Sequence, residues 1–242
     1  MKRSFAMSWG AHSARLTIFR TSKPTGTLWW QLLYGSRAIR TSKMGAAVEE
    51  SGLIEGQNLL FSDQPNRFDV VVTPDPSKAS PETPIHSLGT LDAVSQRISQ
   101  LALKLTATKE FPATNRLACG ASLHLVSFHR AEALQSLAQV FPEFSKELKW
   151  SKDFVFQINH SAQEDIEIED GSVTIYRLQK WYFAELELDG GPKSKPIDAF
   201  SANVDLDIST GISPARSWSA ADAAQIIPVL IRSARLVLVN SP

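Results

Sequence analysis

One cysteine, Cys119, stands in 242 residues. A single thiol excludes an intrachain disulfide framework, and with it the small secreted scaffolds that depend on cross-links. It points to a reducing, cytoplasmic setting in which Cys119 serves as a small buried residue. No apolar run approaches the roughly 20 residues a membrane span requires, so no membrane association is expected. Ser8, Gly10, His12, Ser13 and Arg15 interrupt the segment after Lys2 and Arg3 where a signal peptide would need its apolar stretch. The chain lacks G-x-x-x-x-G-K-[ST], G-x-G-x-x-G and G-x-S-x-G, so neither a phosphate cradle nor a nucleophile elbow is encoded. His12, His86, His124, His129 and His160 have no zinc-type spacing. The expectation is therefore no cofactor and no metal.

Acidic residues are missing from one part of the chain. Residues 1–43 hold eight basic residues (Lys2, Arg3, Arg15, Arg20, Lys23, Arg37, Arg40 and Lys43) and no acidic one, although the whole chain is neutral. Acids gather instead at Glu164, Asp165, Glu167, Glu169 and Asp170, and again at Glu185, Glu187 and Asp189. Such asymmetry suits either a nucleic-acid surface at residues 1–43 or a basic segment packed beside acidic strands of its own chain or of a second copy. Zero net charge favours the second.

With 43% hydrophobic and 21% charged residues, the composition is that of one globular domain over residues 1–242. Residues 74–89, with four prolines, are the one place where it could divide. Alternation predicts strands at Arg15–Thr21, Arg67–Thr73, Arg116–Ser127 and Asn203–Ile208, the last with Val204, Leu206 and Ile208 inward. Thr27–Tyr34 reads as a strand that pairs with the first, its adjacent Trp29 and Trp30 pointing to opposite faces. Gly35 to Asp63 reads as an excursion broken by glycines, with one helical turn at Ala46–Glu50. Residues 90–107 form the clearest helix: Thr90 caps it, and Leu91, Val94, Ile98, Leu101 and Leu105 make one stripe. A second helix spans Ala131–Val140, Pro142 opens a further helical segment, and a third helix opens at Ser219 with Asp222 completing a capping box and Pro228 kinking it. The aromatic-rich segments 153–160 and 172–187 read as a long hairpin at the centre of the sheet. The fold class is α+β: a largely antiparallel sheet with a central hairpin over about 153–187, packed by three main helices.

Three surfaces are candidates for function. Arg177, Lys180, Trp181 and Tyr182 combine cations with large aromatics, the chemistry of binding hot spots. Glu185 and Glu187 on one strand and Asp205 and Asp207 on the next would supply oxygen ligands for metal-dependent phosphodiester cleavage if they converge. The basic residues 1–43 would bind nucleic acid. The runs DFVFQINH (153–160), YRLQKW (176–181) and NVDLDIST (203–210) resemble an uncharacterised, sporadically distributed bacterial protein family of similar length. The resemblance covers the C-terminal third and implies a bacterial, intracellular protein. It brings no activity with it. The reading is a non-enzymatic interaction protein of the bacterial cytoplasm, acting on a protein partner or another copy of itself. A metal-dependent phosphodiester-cleaving enzyme and a nucleic-acid binder are the alternatives.

Overall fold

The structure is a computed structural model that describes residues 9–24, 26–78, 86–148, 153–166, 172–188, 196–212 and 217–239. Its strands are β1 (Gly10–Arg20), β2 (Arg40–Met44), β3 (Ala47–Ile54), β4 (Gln57–Gln64), β5 (Arg67–Pro74), β6 (Thr114–Ser127), β7 (Val155–Asp165), β8 (Ser172–Leu188) and β9 (Ile197–Thr210). Its helices are α1 (Trp29–Tyr34), α2 (Leu91–Thr106), α3 (Arg130–Val140), α4 (Ser145–Leu148) and α5 (Ala220–Val239). The strands form one nine-stranded sheet in the order β2-β3-β4-β5-β1-β6-β9-β8-β7, with every pairing antiparallel. The chain is thus α+β with a wholly antiparallel sheet.

Several local expectations hold for the reasons that suggested them. Thr90 caps α2 by accepting from the Ala93 N–H at 3.3 Å, and Val94, Ile98, Leu101 and Leu105 are buried. Burial of each such side chain contributes about 1.5–3 kcal/mol. Ser219 and Asp222 exchange hydrogen bonds at the start of α5, at 3.2 Å from the Asp222 N–H and 2.9 Å from the Ser219 N–H. Pro228 lies inside α5 on its exposed side, and the helix runs through it. Pro142 opens a 3-10 turn that leads into α4.

Three expectations are corrected. Trp29 and Trp30 lie on a six-residue helix, not a strand, and both are buried. Neighbouring helical side chains are about 100° apart, so both can reach one core. Trp29 meets Phe68 with ring centroids 4.5 Å apart, and Trp30 meets Phe61 at 6.0 Å. The Glu50 carboxylate anchors this helix by accepting from the Trp30 N–H at 3.0 Å. Residues 40–64 are three strands of a meander, with no helical turn at Ala46–Glu50. The β7–β8 hairpin forms, but it closes one end of the sheet, and β1 is the middle strand. The interior of the proline-rich stretch lies outside the described residues.

The register assigns the two faces. Val70, Leu16, Cys119, Ile208, Arg177 and His160 are opposite one another across six strands and share one face. The helices pack on this face: α1 through Trp29 on Phe68, α5 through Ser233, which accepts from Arg177 at 3.3 Å, and the end of α3 through Phe141, 5.4 Å from Trp181. Beneath α1, Arg20 and Asp63 form an ion pair with each side chain only 2% exposed. Burial pushes the Asp63 carboxyl above its ordinary value, and the Arg20 charge opposes that rise. Asp63 Oδ2 and Arg20 Nε make no hydrogen bond of ordinary geometry among the described residues, although the nearby Trp29 side chain also favours the charged Asp63 carboxylate. Gly52 of β3 is required there, because a Cβ would stand 2.6 Å from the Trp30 ring.

Candidate functional site

Alternation along β8 and β9 distributes the residues nominated from sequence. Arg177 pairs with Ile208 and Trp181 with Val204, so both point to the helix-covered face. Trp181 is buried there against Trp9 and Phe141, opposite Phe156 of β7. Lys180 and Tyr182 point the other way, opposite Asp205 and Asn203. The Lys180 ammonium lies 5.4 Å from the Tyr182 ring, whose phenol is pushed up by burial and further by Asp205. The four residues are therefore not one patch, since a pleat sends odd and even positions to opposite sides.

The same parity separates the four carboxylates. Asp205 and Asp207 are on the open face, where Asp207 is 4.0 Å from Arg15. Glu185 and Glu187 pair with Phe200 and Asp198 on the helix side, nearer the end of the hairpin, and Glu185 is 3.6 Å from Arg130. The expected convergence does not occur. Among the described residues no group of three or more His, Cys, Asp or Glu side chains gathers as metal ligands would.

The basic N-terminal region is built into the sheet. Arg20 is buried with Asp63, and Arg15 faces Asp207. Lys2 and Arg3 lie outside the described residues, as do Glu167, Glu169 and Asp170. Lys23, Arg37, Arg40 and Lys43 remain exposed, the first two in connections and the last two on β2.

The open face carries charges of both signs. Thr17 donates to Asp69 at 2.6 Å, and Arg67 pairs with Asp69 at 2.9 Å. Arg116 donates to Ser209 at 3.1 Å and stacks 4.8 Å above Phe19. Toward β7 the face dips into a basin of about 470 Å³ lined by Arg116, Asn159, Tyr176, Leu178, Asp207 and Ser209. Alternating charge of this kind suits a protein partner better than a polyanion.

The basin is bounded by β7, one of the two sheet edges. The edges differ in kind. β2 has five exposed residues, Arg40 and Lys43 among them. Short length and cations are the usual guards of an exposed edge. β7 has eleven residues, and Val155–Ala162 contains no Lys, Arg, Asp, Glu or Pro. Its inner side is held by Phe156, which packs 4.7 Å from Phe141 and 5.6 Å from Phe144. Its outer side presents Val155, 63% exposed, followed by Gln157, Asn159 and Ser161. Among the described residues no strand pairs with the outer edge of β7. The aromatic-rich sequence of this hairpin suggests the centre of the sheet, whereas β7 is an edge. The long uncharged run was the available signal.

No helix among the described residues is long and apolar enough to cross a membrane. No protein-family model matches the chain, and no curated protein matches it in sequence.

Proposed function

We propose that the protein is a non-enzymatic interaction protein that binds by adding a strand at β7, and that a second copy of the chain is the strand it accepts. The observation that carries this reading is the eight-residue run Val155–Ala162 along the β7 edge, which has no Lys, Arg, Asp, Glu or Pro, in contrast to the short cationic edge at the other end of the sheet. Strand addition satisfies the unpaired N–H and C=O groups of such an edge. An isologous pair requires a two-fold axis perpendicular to the sheet. Directly opposed residues of an antiparallel pair point to the same face, so the axis must lie midway between one residue and its own copy. Centring it on Ile158 sets Gln157 against Asn159 of the second copy, and Val155 against Ser161. Amides then meet amides on the open face. The helices of both copies lie on the same side, and two open faces join across the seam.

The test is sedimentation of the intact chain together with a Gln157→Lys/Asn159→Lys variant. In this register each introduced lysine faces a lysine of the second copy, and directly opposed like charges oppose pairing. The expected result is a wild-type dimer whose melting midpoint rises with protein concentration, and a variant that stays folded as a monomer with a midpoint independent of concentration. A monomeric wild type, or a variant that stays dimeric, would overturn the proposal.

A further inference from the structure

A second concave site lies on the helix-covered side, away from β7. It is a cleft of about 290 Å³ between α2 and the β4–β5 region, lined by residues of α1, α2, β3, β4, β5 and the β3–β4 turn. Its apolar lining is Leu59, Val72 and Leu101, all buried, with the half-buried Ile54. α2 contributes Arg97, Gln100 and Lys104, spaced so that they share one side of the helix. Arg97 donates to the Glu55 carboxylate at 2.6 Å, leaving its other donors uncommitted to that pair. Glu55 is held toward it in a left-handed conformation (φ 50°), followed by Gly56 at φ 73°. The Lys104 ammonium stands 5.0 Å from the Tyr34 ring centroid, and no carboxylate among the described residues pairs with it. Burial pushes the Tyr34 phenol up, with Arg97 pulling it down and Glu55 adding to the rise. Gln57 Oε1 is shielded from bulk water and accepts no hydrogen bond among the described residues. A buried acceptor left without a donor is costly, and such groups call for an explanation.

We infer that this cleft binds a small aromatic monocarboxylate that carries one hydroxyl or amino donor. The carboxylate pairs with Lys104, beside Arg97. The ring lies on Leu59, Val72 and Leu101, near the Tyr34 face. The donor satisfies Gln57 Oε1. The volume is at the small end of the range for ligand pockets, about 300–1,000 Å³, and suits a small ligand. The apolar floor has no counterpart for inorganic phosphate, and a hydrocarbon would leave Lys104 without a carboxylate and Gln57 Oε1 without a donor.

Calorimetric titration of the full chain with 4-hydroxyphenylacetate tests this, with phenylacetate and tyramine as the compounds lacking the donor and the carboxylate. Saturable binding of 4-hydroxyphenylacetate is expected, with about tenfold loss in Lys104→Met and no binding of tyramine. Phenylacetate should bind several-fold more weakly than 4-hydroxyphenylacetate to the wild type but equally to Gln57→Leu. A second readout needs no ligand: Gln57→Leu removes the shielded acceptor and should raise the melting midpoint of the free protein. Absence of saturable heat up to about 10 mM would overturn the inference. So would binding that is indifferent to both substitutions, or a Gln57→Leu midpoint below that of the wild type.

Discussion

The ion pair under α1 yields the sharpest stability prediction. The Arg20 and Asp63 side chains are each 2% exposed, and among the described residues Arg20 Nε and Asp63 Oδ2 make no hydrogen bond of ordinary geometry. Replacing Asp63 by leucine leaves a guanidinium that cannot lose its proton, and removing one partner of a buried pair in this way costs about 3–5 kcal/mol. Replacing Arg20 by methionine is different, because a carboxyl can neutralise. Burial already holds the Asp63 carboxyl above its ordinary 3.8, and loss of Arg20 removes the charge that opposes the rise. The sign follows from linkage: a raised folded value gives stability that is complete below the unfolded value and is lost as pH rises through the folded one. Arg20→Met should therefore be destabilised at pH 7 and should recover part of the loss as the pH falls toward 4. The double variant Arg20→Met/Asp63→Leu removes both charges and both polar groups. Its stability should return to within about 1 kcal/mol of the wild type or exceed it by about 1–4 kcal/mol. Urea unfolding followed by tryptophan emission reads all four proteins, since Trp29 packs on Phe68 beside the pair. Additive single effects in the double variant, or an Arg20→Met stability that does not change with pH, would refute the reasoning.

Two further outcomes follow from packing. Gly52→Ala sets a methyl against the Trp30 ring and should cost about 1–3 kcal/mol by urea unfolding, with a shift in tryptophan emission as α1 is displaced. Cys119 is buried, and its thiol is pushed up to about 12 by burial and by Asp207. It should resist an aromatic disulfide reagent at pH 8 in the folded protein and react at once in denaturant.

The elements legible in the sequence were those whose own residues determine them. The α2 stripe, the Ser219–Asp222 box and the alternation of Val204, Leu206 and Ile208 are local signals, and all three appear as read. The β2–β4 meander is hard to read because its strands mix polar and apolar residues without clean alternation and its glycines read as breaks in structure. Gly45 and Gly56 instead sit at positive φ in the turns between strands, as tight hairpins require. Those glycines and Pro65-Asn66, recurring about every ten residues, were the readable sign of a meander. Trp29 and Trp30 misled because aromatic residues favour strands, whereas the Glu50 carboxylate and the Phe61–Phe68 floor hold them in a helix. For the candidate surfaces, parity was the missing step: Lys180 and Trp181 are adjacent in sequence and separated by the sheet. The cleft at α2 was out of reach because Arg97, Gln100 and Lys104 look like any solvated helix side until Tyr34 and Gln57 are placed opposite them.

The middle position of β1 bears on how the chain is assembled. β2 to β5 pair with sequence neighbours, and β5 returns to β1, so this half of the sheet can close once residue 74 has left the ribosome. The other side of β1 must wait for β6, which begins at Thr114, and the remaining strands then build outward through β9. At typical elongation rates of about 5–20 residues per second, that delay amounts to several seconds. Throughout it, Leu16 and Ile18 lie along an unpaired strand edge in a half-built protein. The nascent chain is most vulnerable to mispairing then, and a chaperone that shields this strand would act before the second half of the sheet exists.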